Sequence, residues 1–458
     1  MIKSQKLDKS FEVLEWIFKI GILLYALFSF NSYFYGKRII SLIMWPTLLI
    51  GMIIILYKLL NYKIYKTMPG LIFIVLFTIS YILSMLVNIK YGFKEGIIKL
   101  VFLLMYFFVL FLNKENISRE KMKKEINVLG GIFEIYMAVC VCISFFFMFI
   151  GYTSVRTIKD GWDIGIGFLW GRLWGIFTEP NYASVCACVA IILCLYFFNM
   201  TKNKLWKIVY ICNIILQVCY IAFTDSRTGK VSLAVAVTVF VFNALNYKRL
   251  HSAKLKKVKI YQIILILALV CVVTYKIPGW ITASYNSYMT DFDAQEPQKR
   301  VDRGYDLKED PSNRRFDIWK SGIEIFEKTP VVGTSFTNIL AFTKENVKDS
   351  YMLNNSMNKN FSSIHNEVLN VMVSQGIIGL LILLGFIVYA LNSYVKYYFK
   401  ENNDEEQIFD NMTVSCLAGV FAQSMFLTGM FYSNSPAVIC FWLFFGWFMI
   451  NMKTKKEQ

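Results

Sequence analysis

Apolar residues run along this chain in stretches of about twenty, separated by short groups of polar and mostly basic residues. An α-helix rises ~1.5 Å per residue, so such a stretch crosses a hydrocarbon core ~30 Å thick. Backbone groups in lipid must be paired inside the protein, and runs this long pair as helices rather than barrel strands. The pattern predicts about 12 transmembrane helices, near residues 13–33, 39–57, 70–89, 96–112, 127–150, 181–199, 207–224, 229–246, 259–275, 366–395, 412–429 and 436–452. The expected fold class is an all-α integral membrane protein.

Two connections are long, about residues 151–180 and 276–364. Structureless loops beyond about 12–15 residues are usually functional or disordered. The second connection is neither low in complexity nor poor in aromatics, so it is expected to fold. Within it, Asp310 and Pro311 suit the cap and first position of a helix. Phe316, Trp319, Ile323 and Phe326 follow at helical spacing, and Pro330 closes the segment. The apolar face of that helix would rest on the bundle or in the outer lipid surface. The division is then nine transmembrane helices over 1–275, a large extracytoplasmic loop over 276–364, and three more helices over 365–458.

Composition agrees with this picture: only 17% of residues are charged, where soluble domains carry roughly 25%. The formal charge of +17 would suggest nucleic acid in a soluble protein. Here the basic residues sit between apolar runs. Lys3, Lys6 and Lys9, then Lys58, Lys63 and Lys66, the 114–124 and 202–207 groups, the 248–259 group and the tail all fall on one side of a twelve-helix arrangement. The positive-inside bias places that side, with both termini, in the cytoplasm. The first apolar run has no small-residue cleavage site and reads as a membrane helix rather than a signal peptide. All ten Cys lie in apolar runs without a CxxC, so neither a disulfide framework nor a zinc site is expected. Asp291 and Asp293 make a DxD pair without further ligands, and no metal or cofactor is expected. Glu134, within the fifth run, is expected to face the bundle interior.

Four polar clusters fall at helix ends on the outer side. In GRLWGIFTEPNYA (171–183), Pro180 fits the first turn of a helix whose N–H groups near Asn181 attract anions. Arg172 either serves that anion or snorkels at the interface. In TDSRTGK (224–230), a tight turn pins Arg227 at the surface, where a topogenic Arg is disfavoured. In SNRRFDIWKSG (312–322), Arg314 and Arg315 open the loop helix; paired guanidiniums suit phosphate, and Arg at a helix start opposes the macrodipole. In SSIHNEVLNVMVSQGIIG (362–379), Ser362 or Ser363 would cap a helix with His365 in its first turn, which favours a neutral imidazole able to accept a proton. Gly376 and Gly379 permit close helix contact.

In this order the clusters resemble the O-antigen ligase and Wzy-type polysaccharide polymerase superfamily of bacterial membrane glycosyltransferases. The resemblance covers roughly residues 170–380 through GRLWGIFTEPNYA, DSRTG, RRFDIWKSGIEIFEKTPVVG and HNEVLNVMVSQGIIG. It implies a C-type glycosyltransferase-like fold in the bacterial cytoplasmic membrane, acting at its outer face without metal. It further implies polyprenyl diphosphate-linked oligosaccharides as donor and acceptor; a chain-length regulator is left open as a further partner. By the same resemblance, Arg172, Arg227 and one of Arg314 or Arg315 hold the donor diphosphate, and His365 acts on the acceptor hydroxyl. Glu179, Asn181, Asn366 and Trp319 are the candidate substrate contacts. The Lys-, Asn- and Ile-rich chain points to an AT-rich genome and a Gram-positive source, where lipopolysaccharide ligation does not arise. Polymerase is therefore the expected activity, with ligase as the alternative. A flippase or transporter is the rival of another class, but neither a ladder of buried ionisable residues nor an inverted repeat supports it. A non-catalytic scaffold would leave His365 dispensable.

Overall fold

The computed structural model describes residues 2–114, 116–158, 163–251, 259–292, 300–302, 312–355, 359–398 and 404–454. Among these are 14 α-helices and one small sheet. The first nine helices are α1 (Ile2–Ser29), α2 (Arg38–Leu60), α3 (Leu71–Val87), α4 (Lys94–Met105), α5 (Arg119–Phe149), α6 (Pro180–Met200), α7 (Lys204–Thr224), α8 (Arg227–His251) and α9 (Ile260–Phe292). The long loop contributes α10 (Arg315–Lys328) and α11 (Ile339–Asn346). The chain closes with α12 (Glu367–Tyr398), α13 (Asp404–Ser424) and α14 (Pro436–Thr454).

Eight of these are long and apolar enough to cross a membrane: α2, α5, α6, α7, α8, α9, α12 and α14. The other four expected spans are also helices, but each departs from a simple apolar rod. The first, α1, carries Glu12, Glu15 and Lys19. Lys19 pairs with Glu125 of α5 at 2.7 Å, both side chains buried, and Lys58 of α2 pairs with Glu15 at 3.3 Å. A buried charge survives only with such a partner. The helix α3 has only 17 residues. The helix α4 has 12 and continues as a π-helical turn over Tyr106–Phe111. The helix α13 is rich in polar residues and stops at Ser424, short of the expected 429. Residues 425–435 form an irregular loop instead.

The outer surfaces of the helices are apolar. Leu42, Leu49 and Leu56 of α2, Leu265 and Leu269 of α9, and Leu381, Val388 and Val395 of α12 are all exposed. Bands of this kind on several helices are a lipid-facing surface, since in water they would drive aggregation. The interior is built around α6, where Ala183, Ala187, Ala190 and three cysteines are buried. Small side chains let α7, α8 and α13 pack close to it. Trp442 and Trp447 of α14 fill the adjoining space against Phe107, Phe111 and Phe409. As expected, Glu134 turns inward: Asn213 Nδ2 donates to it at 2.7 Å and Cys194 Sγ at 3.0 Å.

The 151–180 connection, for which the sequence predicts no elements, contains an antiparallel sheet of β1 (Ser154–Thr157), β2 (Asp163–Leu169) and β3 (Arg172–Gly175). Phe168 and Leu173 anchor it in the main core. The long loop has its own core of Ile318, Ile325, Ile339, Phe342 and Ile364. The expected start of its helix at Asp310 and Pro311 lies outside the described residues, as does the Asp293 of the DxD pair. The helix itself begins at Arg315, after Asn313 and Arg314 in left-handed conformations.

Gly376 breaks α12 with φ 65° and ψ −162°. The loop fills that break: Thr334 N donates to Val373 O, Ser335 N to Ser374 O, and Ile377 N to Pro330 O. A Cβ on Gly376 would lie 2.2 Å from Val331 O, so the close approach read from this glycine is to a loop backbone, not to a neighbouring helix.

A second glycine is held by packing. A Cβ on Gly229, in the first turn of α8, would lie 2.2 Å from Ser184 Oγ on α6. Gly229→Ala is expected to cost about 1–3 kcal/mol through overpacking. Gly131→Ala on α5, where a Cβ meets no atom within 4 Å, should match or exceed wild type. Melting temperatures of the two variants in one detergent check this; equal values would remove the packing argument.

Candidate functional site

The four clusters meet at one end of the bundle. Arg172 opens β3 and is buried. Its Nε donates to Thr224 O at 2.9 Å, and its Nη2 to Asn181 Oδ1 at 3.0 Å. A buried, doubly held guanidinium is not snorkelling. Asn181 Nδ2 in turn donates to Glu179 Oε1 at 2.6 Å. Pro180 is the first helical residue of α6, as expected, and Glu179 is its cap, accepting from Tyr182 N at 2.8 Å. The start of α6 is thus covered by a carboxylate of this chain, and the anion expected there has Glu179 in its place.

Arg227 is the first residue of α8. A two-residue turn joins α7 to α8. Asp225 takes the left-handed conformation (φ 45°), and Ser226 Oγ accepts from Gly229 N at 3.0 Å. Asp225 also pairs with Lys230, so both sides of the turn are tied. Arg315 reaches this turn from the loop: its Nη2 donates to Thr228 Oγ1 at 3.3 Å, and its guanidinium lies 5.8 Å from the Phe426 ring centroid. Arg314 turns elsewhere and pairs with Asp317 at 3.8 Å, in a half-exposed position. Of the adjacent pair, Arg315 is therefore the one directed at the Arg227 turn.

His365 stands just before α12, not in its first turn. The cap is Asn366, whose Oδ1 accepts from Leu369 N at 3.1 Å, rather than Ser362 or Ser363. His365 adopts φ 53° and lies edge-on to Phe361, with ring centroids 5.9 Å apart. Burial, and then the positive charge of Arg315, push its pKa down to about 4. The ring is neutral at pH 7, as expected, but burial and a guanidinium are the causes.

A polar network under these groups holds them in place. Ile364 N donates to Asn370 Oδ1 at 2.8 Å, and Asn370 Nδ2 to Thr428 Oγ1 at 3.0 Å. Tyr182 OH donates to Thr428 O at 2.8 Å, and Asn366 Nδ2 to Met425 O at 3.0 Å. The buried carboxylate of Glu367 accepts from Gly429 N at 2.9 Å and Phe431 N at 2.7 Å. The loop after α13 is thereby fixed beneath His365. Sequence reasoning missed Glu367, Asn370, Tyr182 and Thr428. A signal existed in HNEVLN, where four polar residues at the mouth of an apolar helix have to find partners. Trp319 packs against the loop core and edge-on to Phe316. Among the described residues no hydrogen bond or ring contact joins it to the arginines.

Below this loop lies an apolar cavity of about 400 Å³ between α8, α12, α13 and α14. Phe242, Leu383, Ala390, Leu417 and Trp442 line it, and Met430 and Phe431 of the Glu367-held loop form one end.

Residues 212–384 match the family model described as O-Antigen ligase. The match runs from within α7 to the middle of α12, and so takes in the Arg227 turn, Arg315 and His365. The chain is 24% identical over 223 residues to an uncharacterized protein of Haemophilus influenzae, covering 47% of this chain and 50% of that one. It thus spans about half the length of the curated relative it matches.

Proposed function

We propose that this chain, whose residues 212–384 form an O-antigen ligase family domain, is a polysaccharide polymerase. It would transfer a growing glycan from a polyprenyl diphosphate carrier onto the next lipid-linked repeat unit at the outer face of the bacterial membrane. The observation that carries this reading is the placing of a neutral, partly buried His365 beside Arg315, which itself reaches the Arg227 turn.

In the reaction, the acceptor hydroxyl oxygen bonds to the anomeric carbon of the donor. The bond from that carbon to the diphosphate oxygen breaks, and the electron pair leaves with the phosphate. His365 accepts the hydroxyl proton at an imidazole nitrogen. Arg172, Arg227 and Arg315 face the charge that gathers on the departing diphosphate; donors fixed before reaction do not have to reorganise as it forms. Glu179, Asn181 and Asn366 act by holding Arg172 and the loop over Met425–Phe431. The apolar cavity below suits the isoprenoid part of the carrier.

The family model's own description favours a second reading, transfer of a finished glycan to another acceptor. Purified protein given only lipid-linked repeat units separates the two. A ladder of longer lipid-linked glycans is expected. Product that forms only after a different acceptor is added would mean a ligase. No consumption under either condition, with carrier crossing the vesicle bilayer, would replace glycan transfer by flipping.

A further inference from the structure

The hairpin that delivers Arg172 carries two indoles, and folding does not account for the placement of one of them. Trp170 sits in the turn between β2 and β3 with φ 52°, a conformation that is costly for a bulky L-residue. Its side chain is 56% exposed. Neither the strain nor the exposure gives the fold anything back. The turn is nonetheless braced: Asp302 N donates to Gly171 O at 3.1 Å, and a Cβ on Gly171 would lie 2.0 Å from Asp302 O.

Trp174, half-buried, stands edge-on to Trp170 with ring centroids 5.3 Å apart. It lies over Gly165 of β2, where a Cβ would come within 3.0 Å of the indole. Leu173, the intervening residue, points into the core and anchors the strand. The result is a rigid aromatic surface on the same hairpin as Arg172. At most about 7 Å of chain separates Trp170 from Arg172. The sheet is also tied to the segment that leads into His365, since Lys359 pairs with Asp163 of β2 at 3.7 Å.

We propose that Trp170 and Trp174 form a stacking subsite for a sugar ring of the lipid-linked saccharide. A pyranose has faces of C–H groups and a rim of hydroxyls. The faces pack on an indole while the rim stays in water, which an exposed, braced Trp provides. A saccharide whose diphosphate lies on Arg172 passes within reach of the hairpin tip. This subsite rests on the glycan-transfer reading. The competing role for an exposed Trp at the end of a bundle is an anchor at the lipid interface.

The test uses full-length protein in nanodiscs and two probes, a bare polyprenyl diphosphate and the same lipid bearing an oligosaccharide repeat unit. Trp170→Asn suits the left-handed turn and removes the indole without loosening it; Trp170→Phe keeps an aromatic face. Trp170→Asn is expected to weaken binding of the saccharide-bearing lipid about tenfold and leave the bare lipid unchanged, with Trp170→Phe close to wild type. Equal weakening for both lipids would make Trp170 a lipid contact, and no weakening for either would remove it from binding; both outcomes overturn the subsite. Failure of the wild type to bind either lipid would overturn the glycan-transfer reading, and the subsite with it.

Discussion

Replacing His365 by alanine is expected to lower glycan transfer by about 10²–10⁴-fold, the usual contribution of a positioned base. The fold should survive the change. The ring touches Phe361 at one edge, while the local structure is held by Asn366, Glu367 and Asn370. His365→Asn provides a second variant that suits the left-handed backbone at this position. The pH profile gives a further check. Burial and Arg315 both disfavour the imidazolium, so the proton leaves at lower pH than from an ordinary imidazole, and the base form prevails above about 4. The acid limb of kcat/KM, which reports the free enzyme, should therefore fall near that value. A bound diphosphate offsets the Arg315 charge and raises the pKa, so the acid limb of kcat should lie at higher pH than that of kcat/KM. Wild-type surface glycan from His365→Ala at normal membrane levels would remove His365 from the mechanism.

What the sequence discloses here follows from how local each determinant is. The helices are visible because apolar run length is a local property, and Pro180 and the Arg227 turn because caps and turns are set by a few adjacent residues. The loop at 425–435 is hidden for the opposite reason. Met425, Phe426 and Leu427 extend the apolar pattern of α13, but Thr428, Gly429 and Phe431 offer backbone groups to Tyr182 and Glu367, which lie far off in the chain. The position of His365 was unreadable because Ser362, Ser363 and Asn366 are all good caps; the bond from Ile364 N to Asn370 decides among them. The sheet left a faint trace in the alternation of Ile164, Ile166 and Phe168, interrupted by Gly165, over which Trp174 lies, and Gly167, which sits against the Tyr152 backbone. Hydropathy places the first span at 13–33 but says nothing of its charges, Glu15 and Lys19, which are matched by partners on α2 and α5.

The two adjacent arginines of the loop should separate sharply on mutation. Arg315→Ala is expected to cost about 10²–10³-fold in kcat, as does loss of one fixed donor facing a developing anion. Arg314→Ala should change activity little, because Arg314 pairs with Asp317 at 3.8 Å in a half-exposed position, and such pairs contribute only about 0–1 kcal/mol. Arg315→Lys tests geometry apart from charge. An ammonium keeps the positive charge but cannot reproduce the planar fork that reaches Thr228 while lying over Phe426, so it should recover only part of the loss. Arg315→Ala has a second consequence that a purely structural role would not produce. One of the two causes that depress the His365 pKa disappears, so the acid limb of the residual kcat/KM should move upward from about 4 toward the ordinary imidazole value. Burial remains, so the shift should be partial. Residual activity with an unmoved acid limb would mean that Arg315 and His365 do not act on one another; equal losses from Arg314→Ala and Arg315→Ala would mean that the loop recognises its substrate by net charge alone.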